Sequence, residues 1–336
     1  MTQKKGLIAY DTRYGSTAEV AYWLRALIGE DQAVEVKKLE QILTVKPYDY
    51  VIIGSYTRWE KSFKPTYAFI SKFYNDLAQK QVAYFITSGE CDETTVMKMP
   101  GKPPHLSCGR NYLFDQLEKF PAIKPVTTGG FGGRQTTPLL NRKDSFLIWL
   151  LGKTMPKDKI GWDGRDVWES LIPERVEAFA NEIRQKIVSL PPRNDATAYR
   201  TYWTSLQPAN LADPAKEKGT VKPYTLKQDT SRVLLCRFRI RGTLDDAAAC
   251  INDWSRQTGA ALNVEKRDYY ILYYQAVKNY NGKNRVIHIV AALFPEDPGN
   301  VQIALRNYDK PDQRKGVSED MTKAEEIFCA NGRGLK

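Results

Sequence analysis

The sequence predicts two domains: a doubly wound α/β domain with a five-stranded parallel sheet, then a smaller α+β domain with an antiparallel sheet. Three observations carry this expectation. The chain has 336 residues, more than one average domain needs. Up to Val188 short apolar runs alternate with helical periodicity, and after Arg232 the pattern changes to strands of alternating polarity.

Taken in order, Gly6–Tyr10 is an apolar run that ends in the polar loop Asp11–Ser16, followed by the helical spacing Ala18, Val20, Ala21, Leu24, Leu27 and Ile28. A second strand is expected at Ala33–Lys37. Tyr50–Gly54 reads as a third, buried strand that emerges into another polar loop. A helix is expected over Thr66–Ala78, and Gln81–Thr87 makes the fourth strand, ending in Ser88 and Gly89. Residues 94–108 contain Pro100, Pro103 and Pro104 and read as an irregular insertion before a helix around Asn111–Lys119. Pro125–Thr128 supplies the fifth strand, which runs into the glycine-rich stretch Gly129–Gly133. An apolar helix near Asp144–Leu151 and a closing helix over Val167–Val188 complete the domain.

The expected boundaries are 1–190 for the first domain, 191–231 for a linker and 232–336 for the second domain. The linker is polar and rich in proline. In the second domain Arg232–Arg241, Tyr269–Val277, Asn284–Phe294 and Val301–Tyr308 read as strands, with helices at Leu244–Gln257 and near Ser318–Cys329.

Composition narrows the chemistry. Five cysteines without CxxC spacing suggest neither a disulfide framework nor a zinc site, and two histidines leave little material for a metal centre or a catalytic triad. The net charge of +11 is spread along the chain, with 27 of the 50 basic and 22 of the 39 acidic residues at or before Leu190. A general positive surface of this kind favours anionic partners or simple solubility, without choosing between them. The N-terminus runs directly into a strand pattern and no apolar run reaches membrane-spanning length, so a cytoplasmic protein is expected. Arg142, Lys143, Lys153, Lys157 and Lys159 bracket the apolar stretch Phe146–Leu151, as on a segment resting against an anionic membrane surface, although a stretch of six apolar residues is more often core. Tyr269, Tyr270, Tyr273 and Tyr274 beside basic residues admit nucleic-acid stacking, but an amphipathic sheet face is the simpler account, so nucleic acid is not an expected partner.

The loop Asp11-Thr12-Arg13-Tyr14-Gly15-Ser16-Thr17 stands between the first strand and the first helix. A helix start offers unpaired amides and a positive dipole end, hydroxyl side chains add donors, and Gly15 lets the backbone approach a ligand. Without a GxGxxG or Walker pattern, the loop suits one phosphate monoester; a plain capped helix is the alternative.

The pattern strand, Thr-x-x-Gly-Ser-Thr, helix resembles the phosphate loop of flavodoxins. YDTRYGSTAEVAYWL resembles the opening of the flavodoxin-like, menaquinone-dependent protoporphyrinogen oxidases. Gly54-Ser55-Tyr56-Thr57-Arg58-Trp59 is similar to that family's second loop, and GGFGGR, SFLIWLLGKTMPKD and DVWESLIPERVEAFANEI follow its closing order. The resemblance covers residues 5–188 and leaves the rest unassigned.

The resemblance implies strand order 2-1-3-4-5, for which flavodoxin with FMN at the first and third strands is itself the known example. It implies FMN as cofactor, with the phosphate at Thr12, Arg13, Tyr14, Gly15, Ser16 and Thr17. Ser55, Tyr56, Thr57, Arg58 and Trp59 would line one side of the flavin ring, Trp59 or Tyr56 stacking on it, and the backbone of Thr87, Ser88 and Gly89 would border the other. The third loop offers Glu90-Cys91-Asp92 where many flavodoxins carry an aromatic, which would leave one ring face open to a substrate. The implied activity is an FMN-dependent oxidoreductase that moves electrons from a small organic substrate, such as a tetrapyrrole, to a quinone at the membrane. A flavodoxin-type carrier serving a redox-protein partner and a flavin-free binding scaffold are the alternatives. No residue is singled out as catalytic, and no metal is expected.

Overall fold

The computed structural model describes residues 3–29, 33–58, 61–62, 64–88, 96–97, 105–106, 113, 118–136, 144, 167–169, 171–193, 201, 234–268, 270–294, 297, 299–307 and 316–331. The chain divides into two compact units, Met1–Gln135 with Glu169–Tyr199, and Thr136–Trp168 with Arg200–Lys336.

The first unit is built on a parallel sheet of β1 (Lys5–Tyr10), β2 (Ala33–Lys38), β3 (Tyr50–Arg58), β4 (Gln81–Ser88) and β5 (Pro125–Gly132), in the order β2-β1-β3-β4-β5. Its strands read as nearly continuous apolar runs because helices cover both faces. Side chains alternate across the sheet. Ile8, Tyr10, Tyr50, Ile52, Ala83, Phe85 and Phe131 form one core with α1 (Ser16–Ile28) and α4 (Pro173–Ile183). Leu7, Ala9, Val51, Ile53, Val82, Tyr84 and Ile86 form the other with α2 (Lys64–Lys72) and α3 (Tyr74–Leu77).

Several elements differ from the sequence expectation. The helix expected over Thr66–Ala78 starts at Lys64 and breaks at Phe73, whose φ of −111° and ψ of 18° leave the helical region while its ring packs edge-on against Phe69. β3 continues four residues past Gly54, because Ser55 and Tyr56 stay in register with Ile86 and Thr87, and Thr57 and Arg58 pair with Ser62 and Lys61. The glycine run is strand, not loop: Gly129, Gly130, Phe131 and Gly132 pair with Phe85 through Ser88. The closing helix begins at Pro173, six residues later than expected. Proline forces Ile172 into an extended conformation (φ −106°, ψ 107°), so the helix has no way to extend upstream, and Val167–Glu169 is a short strand instead. Arg184–Val188 then form a π turn. Within the insertion, Val96–Met97 and His105–Leu106 pair as a short antiparallel ladder. The expected helices at Asn111–Lys119 and Asp144–Leu151, with the basic residues around the latter, lie outside the described residues apart from Leu113, Glu118, Lys119 and Asp144, as does the linker apart from 191–193 and 201.

At the β2 edge, Glu35 accepts from Lys37 (2.5 Å), the Tyr48 hydroxyl (2.8 Å) and Lys5 (3.1 Å). These contacts, Lys37 foremost, then Tyr48 and Lys5, hold its carboxyl at about 2 against an ordinary value of 4.5. A folded-state value below the unfolded one stabilises the fold above the unfolded value and loses that contribution as pH falls towards about 2. A Glu35→Gln variant is therefore expected to have a shallower acid limb in unfolding titrations across that window. An unchanged limb would show that the pair is too solvent-screened to matter.

The second unit carries an antiparallel sheet of β6 (Leu234–Arg241), β7 (Ala261–Asp268), β8 (Ile271–Tyr280), β9 (Lys283–Leu293) and β10 (Asn300–Asn307), in the order β6-β10-β9-β8-β7. β7 is the strand that the sequence reading missed. Its sequence ALNVEKRD lacks an apolar alternation because it is an edge strand with a single neighbour. Asn281 and Gly282, both at positive φ (52° and 81°), make the tight turn between β8 and β9. α5 (Leu244–Thr258) is capped by a reciprocal Thr243–Asp246 box and ends at Gly259 (φ 72°). It meets α6 (Val317–Asn331) through the Trp254 indole, which donates to the Asp320 carbonyl at 2.7 Å. Lys278 and Tyr280 converge on the Asp320 carboxylate, and burial, reinforced by that carboxylate, pushes the Tyr280 phenol up. Tyr270, Tyr273 and Tyr274 are buried, Tyr273 against His288 with a 2.9 Å bond between its hydroxyl and Nδ1. These tyrosines are core side chains, not an amphipathic face with an exposed side; Tyr269 lies outside the described residues.

Candidate functional site

The carboxyl ends of β1, β3, β4 and β5 lie side by side, since Tyr10 pairs with Gly54, Tyr56 with Thr87, and Thr87 with Phe131. Where β1 ends, the Asp11 amide still donates to the Gly54 carbonyl at 3.2 Å, which holds the start of the next loop against β3. The loop then turns tightly: the Gly15 amide donates to Thr12 Oγ1 at 3.1 Å, and Gly15 takes a left-handed conformation with φ of 91°. Only glycine adopts that conformation without a Cβ penalty.

α1 starts immediately after Gly15 and has no side-chain cap. Its ladder begins with the Glu19 amide donating to the Gly15 carbonyl at 2.8 Å, so the first-turn amides lie ahead of the ladder. Thr12, Tyr14 and Ser16 are half-buried and Arg13 is exposed, its guanidinium 5.6 Å from the Tyr14 ring centre. Thr17 is different. It is 1% exposed, and its hydroxyl lies 2.8 Å from that of Thr87, itself 3% exposed.

The second loop divides. Ser55 is buried, its hydroxyl accepting from Thr66 of α2 at 3.0 Å and donating to the Tyr56 carbonyl at 3.3 Å. Tyr56 and Thr57 are half-buried at the end of β3, and Arg58 is in the strand. Trp59 and Gly89, and with them Glu90-Cys91-Asp92, lie outside the described residues. Thr87 and Ser88 end β4, both buried.

Gly133 joins this set although the sequence reading gave it no place there. A Cβ at Gly133 would lie 3.2 Å from Ser16 Oγ, 3.3 Å from Ser16 Cβ and 3.4 Å from the Ser88 carbonyl oxygen, so β5 ends directly against the Thr12–Thr17 loop. The only sequence signal was the density of glycines.

The arrangement suits a phosphate monoester. It combines an uncapped helix start, hydroxyls at Thr12 and Ser16, the left-handed Gly15, and Gly133, where a Cβ would crowd Ser16. Among the described residues no group of three or more His, Cys, Asp or Glu is placed to hold a metal ion, and no helix is long and apolar enough to cross a membrane.

Residues 7–160 match the family model described as a flavodoxin domain. This chain carries a flavodoxin-like domain. Solved structures with similarity to it include a flavodoxin from the domain Archaea, 21% identical over 26% of this chain and 66% of that one, with a TM-score of 0.25. A Lactobacillus acidophilus flavoprotein in complex with FMN is 18% identical over 37% of this chain and 91% of that one, with a TM-score of 0.27. A Streptococcus pneumoniae flavodoxin is 16% identical over 54% of this chain and 99% of that one, with a TM-score of 0.31. This chain thus spans just under two thirds of the archaeal flavodoxin. No curated protein matches it.

Proposed function

We propose that the flavodoxin-like domain binds FMN and that the protein is an FMN-dependent oxidoreductase. The observation that carries this reading is the cradle at the start of α1, where left-handed Gly15, an uncapped helix and the close approach of Gly133 fit a phosphate monoester. Thr12, Tyr14 and Ser16, with the first-turn amides, hold the phosphate, and Arg13 adds positive charge at the exposed rim. Tyr56 and Thr57, followed by Arg58 and Trp59, line one side of the ring; the backbone of Thr87, Ser88 and Gly89 lines the other. FMN, when bound, supplies the redox chemistry, while the chain supplies orientation, electrostatics and access.

For the reaction itself, the support is the resemblance of the loops and the closing segment to the menaquinone-dependent protoporphyrinogen oxidases. Under that reading a reduced organic substrate, such as a tetrapyrrole, approaches the ring face beside Glu90-Cys91-Asp92, and a quinone at the cytoplasmic membrane surface takes the electrons. A redox-protein partner replaces substrate and quinone if the domain serves as a carrier.

The purified protein is expected to show the visible bands of a bound flavin and to release FMN on heating. Gly15→Ala, which forces an L-residue into the left-handed region, is expected to weaken FMN binding about tenfold, from a strain of about 1–2 kcal/mol. A colourless protein that takes up no FMN on reconstitution defeats the proposal. Substrate loss under quinone, without any protein partner, separates the oxidase from the carrier.

A further inference from the structure

We propose that Thr87 is a positioning residue for the phosphate loop and acts through Thr17; this rests on the FMN reading above. The two hydroxyls, 2.8 Å apart and shut off from water, join the first turn of α1 to the end of β4. Thr17 directly follows Ser16, and Thr87 lies in register with Tyr56 at the place where the ring-side loops leave the sheet. One bond therefore ties the phosphate end of the site to its ring end.

A buried hydroxyl pair resists sliding, because separating the partners leaves two polar groups without water to replace the lost bond. Gly133 lies so close on the third side that a Cβ there would crowd both Ser16 and the Ser88 carbonyl, so the start of α1 has little slack. The Thr17 hydroxyl is directed at β4, and its service to a ligand is to set where Ser16 and the first-turn amides stand. Loss of the bond accordingly weakens the hold on the phosphate and leaves the ring contacts in place.

The test titrates FMN and riboflavin, which lacks the phosphate, against the full-length wild-type protein and the Thr17→Val, Thr87→Val, double-valine and Thr87→Ser variants. Melting temperatures without flavin are recorded alongside. Each single valine variant is expected to weaken FMN binding about tenfold, the double variant no more than either single one, as for two halves of one interaction. Thr87→Ser restores FMN affinity to within about twofold, and riboflavin affinity stays within about twofold throughout. The proposal is overturned by effects that multiply in the double variant, by equal losses for both flavins, or by a Thr17→Val loss far exceeding that of Thr87→Val, which would mean direct phosphate contact. Wild-type protein that binds FMN while Thr87→Val does so equally well overturns this proposal alone; wild-type protein that binds neither flavin overturns the FMN reading with it.

Discussion

Gly54→Ala is expected to destabilise the flavodoxin-like domain by about 3 kcal/mol, the upper end of what overpacking costs in a close-packed core. A Cβ on Gly54 would lie 2.2 Å from Phe85 Cζ, well inside any possible contact. The ring has no room to give way. Phe85 is fully buried and packs against Phe131 and Phe179, with ring centres 6.0 and 6.4 Å away. The alternative, a shift of β3, disturbs the bond from the Asp11 amide to the Gly54 carbonyl and so reaches the loop that precedes α1. Gly259→Ala is the instructive contrast. Nothing lies within 4 Å of a Cβ there, and its cost of about 1 kcal/mol comes from the positive φ of 72° alone. Denaturant unfolding followed by absorbance or fluorescence checks both. A Gly54→Ala midpoint within error of wild type, at unchanged slope, would mean that the ring over Gly54 is not held by its neighbours.

Trp254→Ala is expected to cost the second unit about 4 kcal/mol, as for other fully buried large aromatic side chains. Two losses combine: the volume of the largest side chain in α5, and the 2.7 Å bond by which its indole satisfies the Asp320 carbonyl in α6. Trp254→Phe separates them, since it keeps a ring but drops the donor, and about 1–2 kcal/mol is expected from that change. Because Asp320 also receives Lys278 and Tyr280, the region that loosens first should be the amino-terminal half of α6. Hydrogen exchange read peptide by peptide checks this. Protection lost evenly over both units, or retained in residues 317–324, would contradict the placement of Trp254 as the joint between the two helices.

How far the site was legible depended on the kind of interaction involved. The loop that carries Thr12, Tyr14, Gly15 and Ser16 was legible as a loop because a break between an apolar run and a helical pattern is a local signal, and the geometry of Gly15 follows from residues no more than four positions away. The bond that the Ser55 hydroxyl accepts from Thr66, eleven positions on, was not legible, because it depends on how α2 is seated against β3. Gly133 carried no signal beyond being one glycine among several.

The fold shows the same division. Five strands alternating with helices, the parallel arrangement, and the change to antiparallel strands after the middle of the chain all follow from periodicities of 2 and 3.6 residues, which are complete within windows of about ten residues. The start of α4 was legible in principle from Pro173, and overlooked because the apolar spacing continues upstream of it. The strand nature of Gly129–Gly132, the continuation of β3 to Arg58, and β7 were settled by neighbouring strands that supply hydrogen-bond partners to segments of weak intrinsic preference. The Thr17–Thr87 bond joins residues 70 positions apart, and only the register of β4 on β3 and the seating of α1 on the sheet bring those hydroxyls together. Local pattern is written in consecutive residues, whereas a partner across the sheet depends on every register between, so most elements of this protein could be read in advance, while β7, several element ends and the joints between elements could not.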